Sequence, residues 1–290
     1  MESYQKKSLS VVVPVYNEEK TVGQVMASLK SELSKLDVQY EIIAVNDCSQ
    51  DQSLVVLEKI DGIKAISHPH NKGYGASLKT GIKASQYEWI LIIDADGTYP
   101  IDSIAKLLEK IPQYDLVVGA RDNKSSAIPS SRRHAKGFLN KFAGYLAGRE
   151  IPDLNSGLRI FKKDIILKYW ELFPNKFSFT STLTMTCLTH QYETIFLPID
   201  YYKRQGKSSL KPFEFFVFLK LIIKLSLFFK PLKVFIPISL FLLFIAILLT
   251  ILFLVGVLGA FMNTTIMVLC ATALQTFFFG LLAEIVIHNK

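Results

Sequence analysis

Two aspartates one residue apart, Asp94 and Asp96, follow directly on the apolar run WILII and precede Gly97, Thr98, Tyr99 and Pro100. Carboxylates at i and i+2 on a strand share one side, or splay around a turn if the strand stops between them. Left alone they repel each other. A divalent cation removes that conflict, and hard oxygen ligands suit Mg2+ or Mn2+ shared with substrate phosphates. A pair of solvated acids is the alternative, and the tripeptide by itself leaves both open.

Other apolar runs also end in polar groups: Tyr16-Asn17-Glu18 after LSVVVPV, and Asn46-Asp47 after YEIIAV. Arg121 follows another apolar run, and Arg132, Arg133 and Lys136 follow a Ser/Pro-rich loop. Arginine's fork pairs with phosphate oxygens bidentately and keeps its charge; a solvated basic loop is the plainer reading. NKGYGAS (71–77) places two glycines ahead of a helical pattern. They either bring backbone amides to a phosphate or make a tight turn into the helix. None of the five histidines has a carboxylate partner visible in the sequence, so none is assigned as a general base.

These groups need elements to position them. The runs 9–16, 40–47, 63–67, 89–94 and 115–120 read as buried strands, and 18–36, 51–60, 74–85 and 102–111 carry helical apolar spacing. Such alternation predicts an α/β domain with a mostly parallel central sheet covered by helices on both faces. Ligands of such sheets bind outside the carboxyl ends of the strands, where the polar strand ends here should converge. Residues 121–160 read as irregular and basic, 164–190 as a second helical region, and 192–204 as a late strand pair or a bent strand.

The 290 residues are 50% hydrophobic and 20% charged, and the apolar share is uneven. No Asp, Glu, Lys, Arg or His occurs from Val234 to Ala283. One crossing takes about 20 residues, so this run predicts two spans, 234–256 and 265–287, folded as a hairpin within 232–290. Before it, 212–231 carries Lys220 and Lys224 on one face of an otherwise apolar helix, as an interfacial helix would. Lys230, Lys233 and Lys290 flank the outer ends, which predicts both ends and the globular domain (1–211) on the cytoplasmic side. The net charge of +8 then fits a membrane surface rather than nucleic acid. MESYQKKSLS lacks the apolar core of a signal peptide, and three scattered cysteines read as reduced thiols. The hairpin either only anchors or also assembles a homo-oligomer; Gly256, Gly259 and Gly280 fit both.

VVVPVYNEEKTV, EIIAVNDCSQDQS, NKGYGASLKTGI, DADGTYP, VVGAR, LNSGLRIF and the final hairpin occur in that order. Together they resemble the family 2 glycosyltransferases, in particular the polyprenyl-phosphate type that includes dolichol-phosphate mannose synthases and bactoprenol glucosyltransferases. The resemblance spans nearly the whole chain and implies a GT-A-like nucleotide-sugar-binding domain. It implies that Pro14, Tyr16, Glu18 and Asp47 hold the nucleoside, with Asn46 standing where the family usually has a first Asp. Asp94 would meet the ribose or diphosphate, and Asp94, Asp96 and Thr98 the metal, Mg2+ or Mn2+. Arg121, with Arg132, Arg133 and Lys136, would grip the acceptor's phosphate, and Arg204 with Ser208 would close over the donor diphosphate.

The activity implied is metal-dependent, inverting transfer from a nucleotide sugar to a polyprenyl phosphate, with Asp96, Arg121 and Arg204 as the catalytic groups. Gly97 and Thr98 replace the Leu-Gln that follows D-A-D in the mannose synthases, so UDP-sugars are as well suited as GDP-mannose. The alternatives are a membrane glycosyltransferase acting on a glycan or other acceptor, and a non-catalytic membrane scaffold. The processive Q-x-x-R-W motif is missing from KRQGKSS, and a scaffold has no need of Asp94, Asp96, Arg121 and Arg204 together.

Overall fold

The computed structural model describes residues 7–121, 130–176, 178–202, 220, 223–224, 226–227, 230–256 and 262–288, with the backbone alone at 130–136, 138–139 and 288. The chain divides into two compact units, Met1–Phe218 and Leu219–Lys290.

In the first unit the strands are β1 (Lys7–Val15), β2 (Val38–Asn46), β3 (Lys64–Ser67), β4 (Trp89–Ile92), β5 (Leu116–Arg121), β6 (Arg159–Lys162) and β7 (Thr194–Ile199). They form one sheet in the order β3-β2-β1-β4-β6-β5-β7, parallel except for β6, which runs antiparallel to both neighbours. The mostly parallel α/β sheet expected from the alternation is therefore present. Its central strands are apolar on both faces, and their side chains enter two cores, one around Val11, Val13 and Leu91, the other around Val12, Ile90 and Ile92.

Helices α1 (Val22–Lys35), α2 (Ser53–Glu58), α3 (Tyr74–Ala84) and α4 (Ser103–Leu108) follow the strands in turn. In α1, Val22, Val25, Met26, Leu29 and Leu33 recur at helical spacing and are the buried residues. Where α3 crosses β1, a Cβ on Gly81 would fall 2.3 Å from Val12 Cγ1, so only glycine lets that helix approach.

One element differs from expectation. The stretch read as irregular contains α5 (Ser130–Ala147), whose Asn140, Ala143, Leu146 and Ala147 are buried; its many basic residues mask this face in the sequence. The late strand pair or bent strand expected at 192–204 is the single strand β7, parallel to β5. The second helical region expected at 164–190 is present as α6 (Lys163–Lys168), a short 3-10 turn (Trp170–Leu172) and α7 (Phe179–Thr189).

The second unit contains α8 (Leu232–Leu254) and α9 (Met262–His288), two helices long and apolar enough to cross a membrane. Most of the interfacial helix expected at 212–231 lies outside the described residues. The two long helices pack antiparallel. Ser239 Oγ donates to Ala273 O at 2.8 Å, the Glu284 carboxylate accepts from Leu232 N–H at 3.4 Å, and Gly280 packs against Phe235.

Candidate active site

The parallel register sets the site. Val15 pairs with Asn46 and Val12 with Ile92, so residues just past the strand ends, Tyr16, Asp47 and Asp94, meet at one edge. The chain leaves β1 for β2 on one side and reaches β4 on the other, which makes this edge a topological switch point. A cleft of about 400 Å³ opens there. Pro14, Tyr16, Glu18, Asp47, Asp94 and Asp96, all singled out in the sequence, line it. So do Asn71, Tyr74 and Ser77, which the sequence marks only as members of NKGYGAS.

Glu18 is held by a reciprocal lacing of two turns. Asn17 N–H donates to Ser49 Oγ at 3.0 Å, Glu18 N–H to Ser53 Oγ at 2.8 Å and Glu19 N–H to Asp51 Oδ2 at 3.1 Å. In return Gln50 N–H donates to Asn17 Oδ1 at 2.8 Å and Gln52 N–H to Glu19 Oε2 at 3.0 Å. Asn17 and Cys48 take positive φ to make these turns. Burial would raise the Asp51 carboxyl, but the Ser53 and Glu19 donors outweigh it and hold its pKa below the usual value. The polar residues of NEE and SQDQS thus shape the cleft wall. Asn46 donates through Nδ2 to Ser67 Oγ at 3.0 Å and accepts from Ser49 N–H at 3.2 Å.

Asp47, 3% exposed, accepts Lys72 N–H at 2.9 Å and Gly73 N–H at 2.8 Å. Its Oδ1 also lies 2.7 Å from His68 Nδ1, while His68 Nε2 lies 2.9 Å from Thr80 Oγ1. The expectation that no histidine has a carboxylate partner is corrected here: β2 and β3 are adjacent, and that pairing brings residues 47 and 68 together. The amide of Gly73 is engaged by Asp47. A Cβ at Gly73 or Gly75 would strike Asn175 O or Pro174 O, at 2.6 and 2.1 Å. Both glycines therefore serve the turn and its close packing.

Asp94 Oδ1 accepts the Tyr74 hydroxyl at 2.9 Å. Burial, and then the charge of Asp94, push the Tyr74 phenol well above its ordinary pKa, so it stays a donor. Asp96 Oδ1 accepts both Thr98 N–H, at 3.1 Å, and Thr98 Oγ1–H, at 2.6 Å. The Thr98 proton is thus spent on orienting Asp96. Among the described residues no three His, Cys, Asp or Glu side chains cluster to hold a metal by themselves. Two carboxylates on one cleft wall, each with one oxygen already oriented, fit a small hard cation whose other ligands are substrate phosphates and water.

Arg121 is committed more heavily than its sequence position suggests. Nε and Nη2 donate to the two carboxylate oxygens of Asp153 at 2.6 and 2.9 Å, and Nη2 also to Asn155 Oδ1 at 3.0 Å. Asp153 is fully buried, and the guanidinium lies 5.2 Å from the Tyr201 ring centre. Burial would lower the Arg121 pKa, but Tyr99 and Asp153 outweigh it and keep it above its ordinary value. Nη1 takes no part in the Asp153 and Asn155 bonds. Arg132, Arg133 and Lys136 stand in the first turns of α5, where only the backbone is described. Arg204 and Ser208 lie outside the described residues. Tyr202 N–H donates to Thr98 O at 2.9 Å, which ties Tyr202 to the Asp96 loop.

The model of glycosyl transferase family 2 matches residues 10–170. A dolichyl-phosphate hexose transferase of Haloferax volcanii is 27% identical over 215 residues, 73% of this chain and 91% of that protein. A dolichyl-phosphate beta-glucosyltransferase of Trichomonas vaginalis is 30% identical, over 69% of this chain and 65% of its own. Among solved structures, glucosyl-3-phosphoglycerate synthase from Mycobacterium tuberculosis, in complex with Mn2+, UDP and phosphoglyceric acid, superposes with a TM-score of 0.60. It is 14% identical and covers 76% of this chain and 78% of its own, a likeness of fold that agrees with the GT-A-like architecture expected from the motifs.

Proposed function

The chain belongs to glycosyl transferase family 2, and from that premise we propose that it transfers a hexose from a nucleotide sugar to a polyprenyl phosphate with inversion at the anomeric carbon. The donor is a UDP-hexose or GDP-mannose, and Mg2+ or Mn2+ the cofactor. The observation that carries this reading is the convergence of Asp47, Asp94 and Asp96 with Pro14, Tyr16 and Glu18 on one cleft at the switch point. The acceptor class is supported by the dolichyl-phosphate transferases among its relatives. The metal is supported by the paired carboxylates and by the Mn2+ in the mycobacterial enzyme of like fold.

A phosphate monoester has a second pKa near ~6 and is largely a dianion at neutral pH. Its oxygen attacks the anomeric carbon as the bond from that carbon to the diphosphate breaks, releasing the nucleoside diphosphate. No proton has to be removed, so the site needs no general base, and the His68–Asp47 pair is left to shape the nucleoside end. Asp47 and Glu18 with Pro14 and Tyr16 hold the nucleoside, and Asp94 meets the ribose or diphosphate. Asp94 and Asp96 would hold the divalent ion, which would supply positive charge against the leaving diphosphate. Thr98 orients Asp96 through its proton and would offer its oxygen lone pairs to the same ion. Arg121, steadied by Asp153, presents Nη1 to the acceptor phosphate, with Arg132, Arg133 and Lys136 on the same task. Arg204 and Ser208 close over the donor, and the enzyme's main work is positioning.

The two apolar helices form a hairpin anchor that leaves the catalytic domain (1–211) and the interfacial helix (212–231) at the cytoplasmic leaflet, where lipid phosphates lie. Two spans flanked by Lys230 and Lys233 support this orientation. Asp96→Asn tests the reading: membrane insertion should persist and transfer to lipid should fall at least about 100-fold, the scale of losing one electrostatic stabiliser. Undiminished transfer would remove Asp96 from the chemistry.

A further inference from the structure

NKGYGAS and LNSGLRIF meet at Asp94. From the first, Tyr74, the opening residue of α3, donates its hydroxyl to Asp94 Oδ1 at 2.9 Å. From the second, Gly157 lies against the same carboxylate: a Cβ there would stand 2.3 Å from Oδ2 and 2.7 Å from Cγ. The antiparallel register explains the meeting. Ile92 pairs with Arg159, and two further steps along each chain reach Asp94 and Gly157.

Gly157 is fixed by its own neighbours. Its N–H donates to Tyr99 Oη at 2.6 Å, and the Ser156 hydroxyl donates to Gly119 O at 2.6 Å. The Ser156 carbonyl accepts from both Nε and Nη2 of Arg159. Arg159 is fully buried and spends Nη1 on Thr180 O at 2.8 Å and Thr184 Oγ1 at 3.0 Å. A buried guanidinium bonded to main-chain carbonyls braces the loop, since moving the loop strips a buried charge of its acceptors. Asp94 is therefore set between a hydroxyl on one side and a bare, braced backbone on the other.

We propose that Tyr74 is a positioning residue for Asp94, holding its carboxylate against the Gly157 wall in the one orientation that meets the donor's ribose or diphosphate. The inference rests on the cleft being the donor site. Tyr74→Phe removes the hydroxyl and keeps the ring. Isothermal titration of the full-length protein in detergent, with UDP and with GDP in the presence of Mn2+, reads the effect without turnover.

The dissociation constant for the nucleotide that wild type binds should rise about 10-fold, as for the loss of a hydrogen bond to a charged group, with the unfolding temperature unchanged. In an Asp94→Ala background the same substitution should add nothing further, because the acceptor is gone. Unchanged binding by Tyr74→Phe, or a full added loss in the Asp94→Ala background, would overturn the proposal while leaving the donor site standing. Failure of wild type to bind either nucleotide would overturn the donor-site reading and this inference with it.

Discussion

Gly157→Ala should disable the enzyme while leaving it folded, through a single steric contact. Gly157 is not among the glycines with positive φ, so alanine suits its backbone and the effect comes from the added methyl alone. That methyl would stand 2.3 Å from Asp94 Oδ2, where ordinary contact begins near 3.4 Å, so roughly 1 Å must open between them. The glycine side cannot supply it cheaply, being held by Tyr99 and by the loop that Arg159 braces. Asp94 must move instead, breaking from Tyr74. A misplacement of about 1 Å costs on the order of 100-fold in rate, while overpacking costs about 1–3 kcal/mol of stability. The assay is kcat/KM for sugar transfer in detergent micelles, beside thermal unfolding of the same samples. Gly137→Ala is the control, because a Cβ there meets nothing within 4 Å and Gly137 lies within a helix, where alanine is favoured. A folded Gly157→Ala enzyme within threefold of wild-type activity would refute the argument that Asp94 is set by that wall.

Asp153→Ala should destabilise the first unit by about 3–5 kcal/mol, measured as a fall in the denaturant midpoint, because it strands the Arg121 guanidinium. His68→Ala should raise the donor KM by up to about 10-fold with kcat nearly unchanged, since Asp47 Oδ1 loses one of the groups that orient it beside the Lys72 and Gly73 amides. Asp51 has a folded pKa below its ordinary 3.8, so its contribution to stability is fully present above that value and is lost as pH falls through the lowered one. Unfolding midpoints of Asp51→Asn taken between pH 5 and pH 2 should therefore fall less steeply than those of wild type.

The strand ends that build the cleft are legible in the sequence. Apolar runs closing on Tyr16, Asp47 and Asp94 need only a parallel sheet to bring them together, and alternation implies one. The partners that orient these groups are not legible. Tyr74 and Asp94 are 20 residues apart, His68 and Asp47 21, and Arg121 and Asp153 32. Each pair depends on which strands are neighbours and in what register. Reversed β6 is the decisive case: it carries Gly157 to Asp94, and nothing in the four residues RIFK announces its direction. Thr98 shows the converse. Its place beside Asp96 suggests a ligand, and the 2.6 Å hydroxyl bond to Asp96, which only the structure shows, adds an orienting role for its proton while leaving the oxygen lone pairs to a cation. In α5 a run of arginines and lysines hides a buried face that Ala143 and Leu146 supply.

The most direct test of the central claim is a transfer assay with a panel of donors. Membranes bearing the protein would receive labelled UDP-glucose, UDP-N-acetylglucosamine, UDP-galactose or GDP-mannose, a polyprenyl phosphate, and Mn2+ or Mg2+, and label in the organic phase would be counted. A lipid-phase product from one donor, abolished by chelation and by Asp96→Asn, is the predicted result. Absence of any lipid product from folded protein across the panel would contradict the claim that a polyprenyl phosphate is the acceptor.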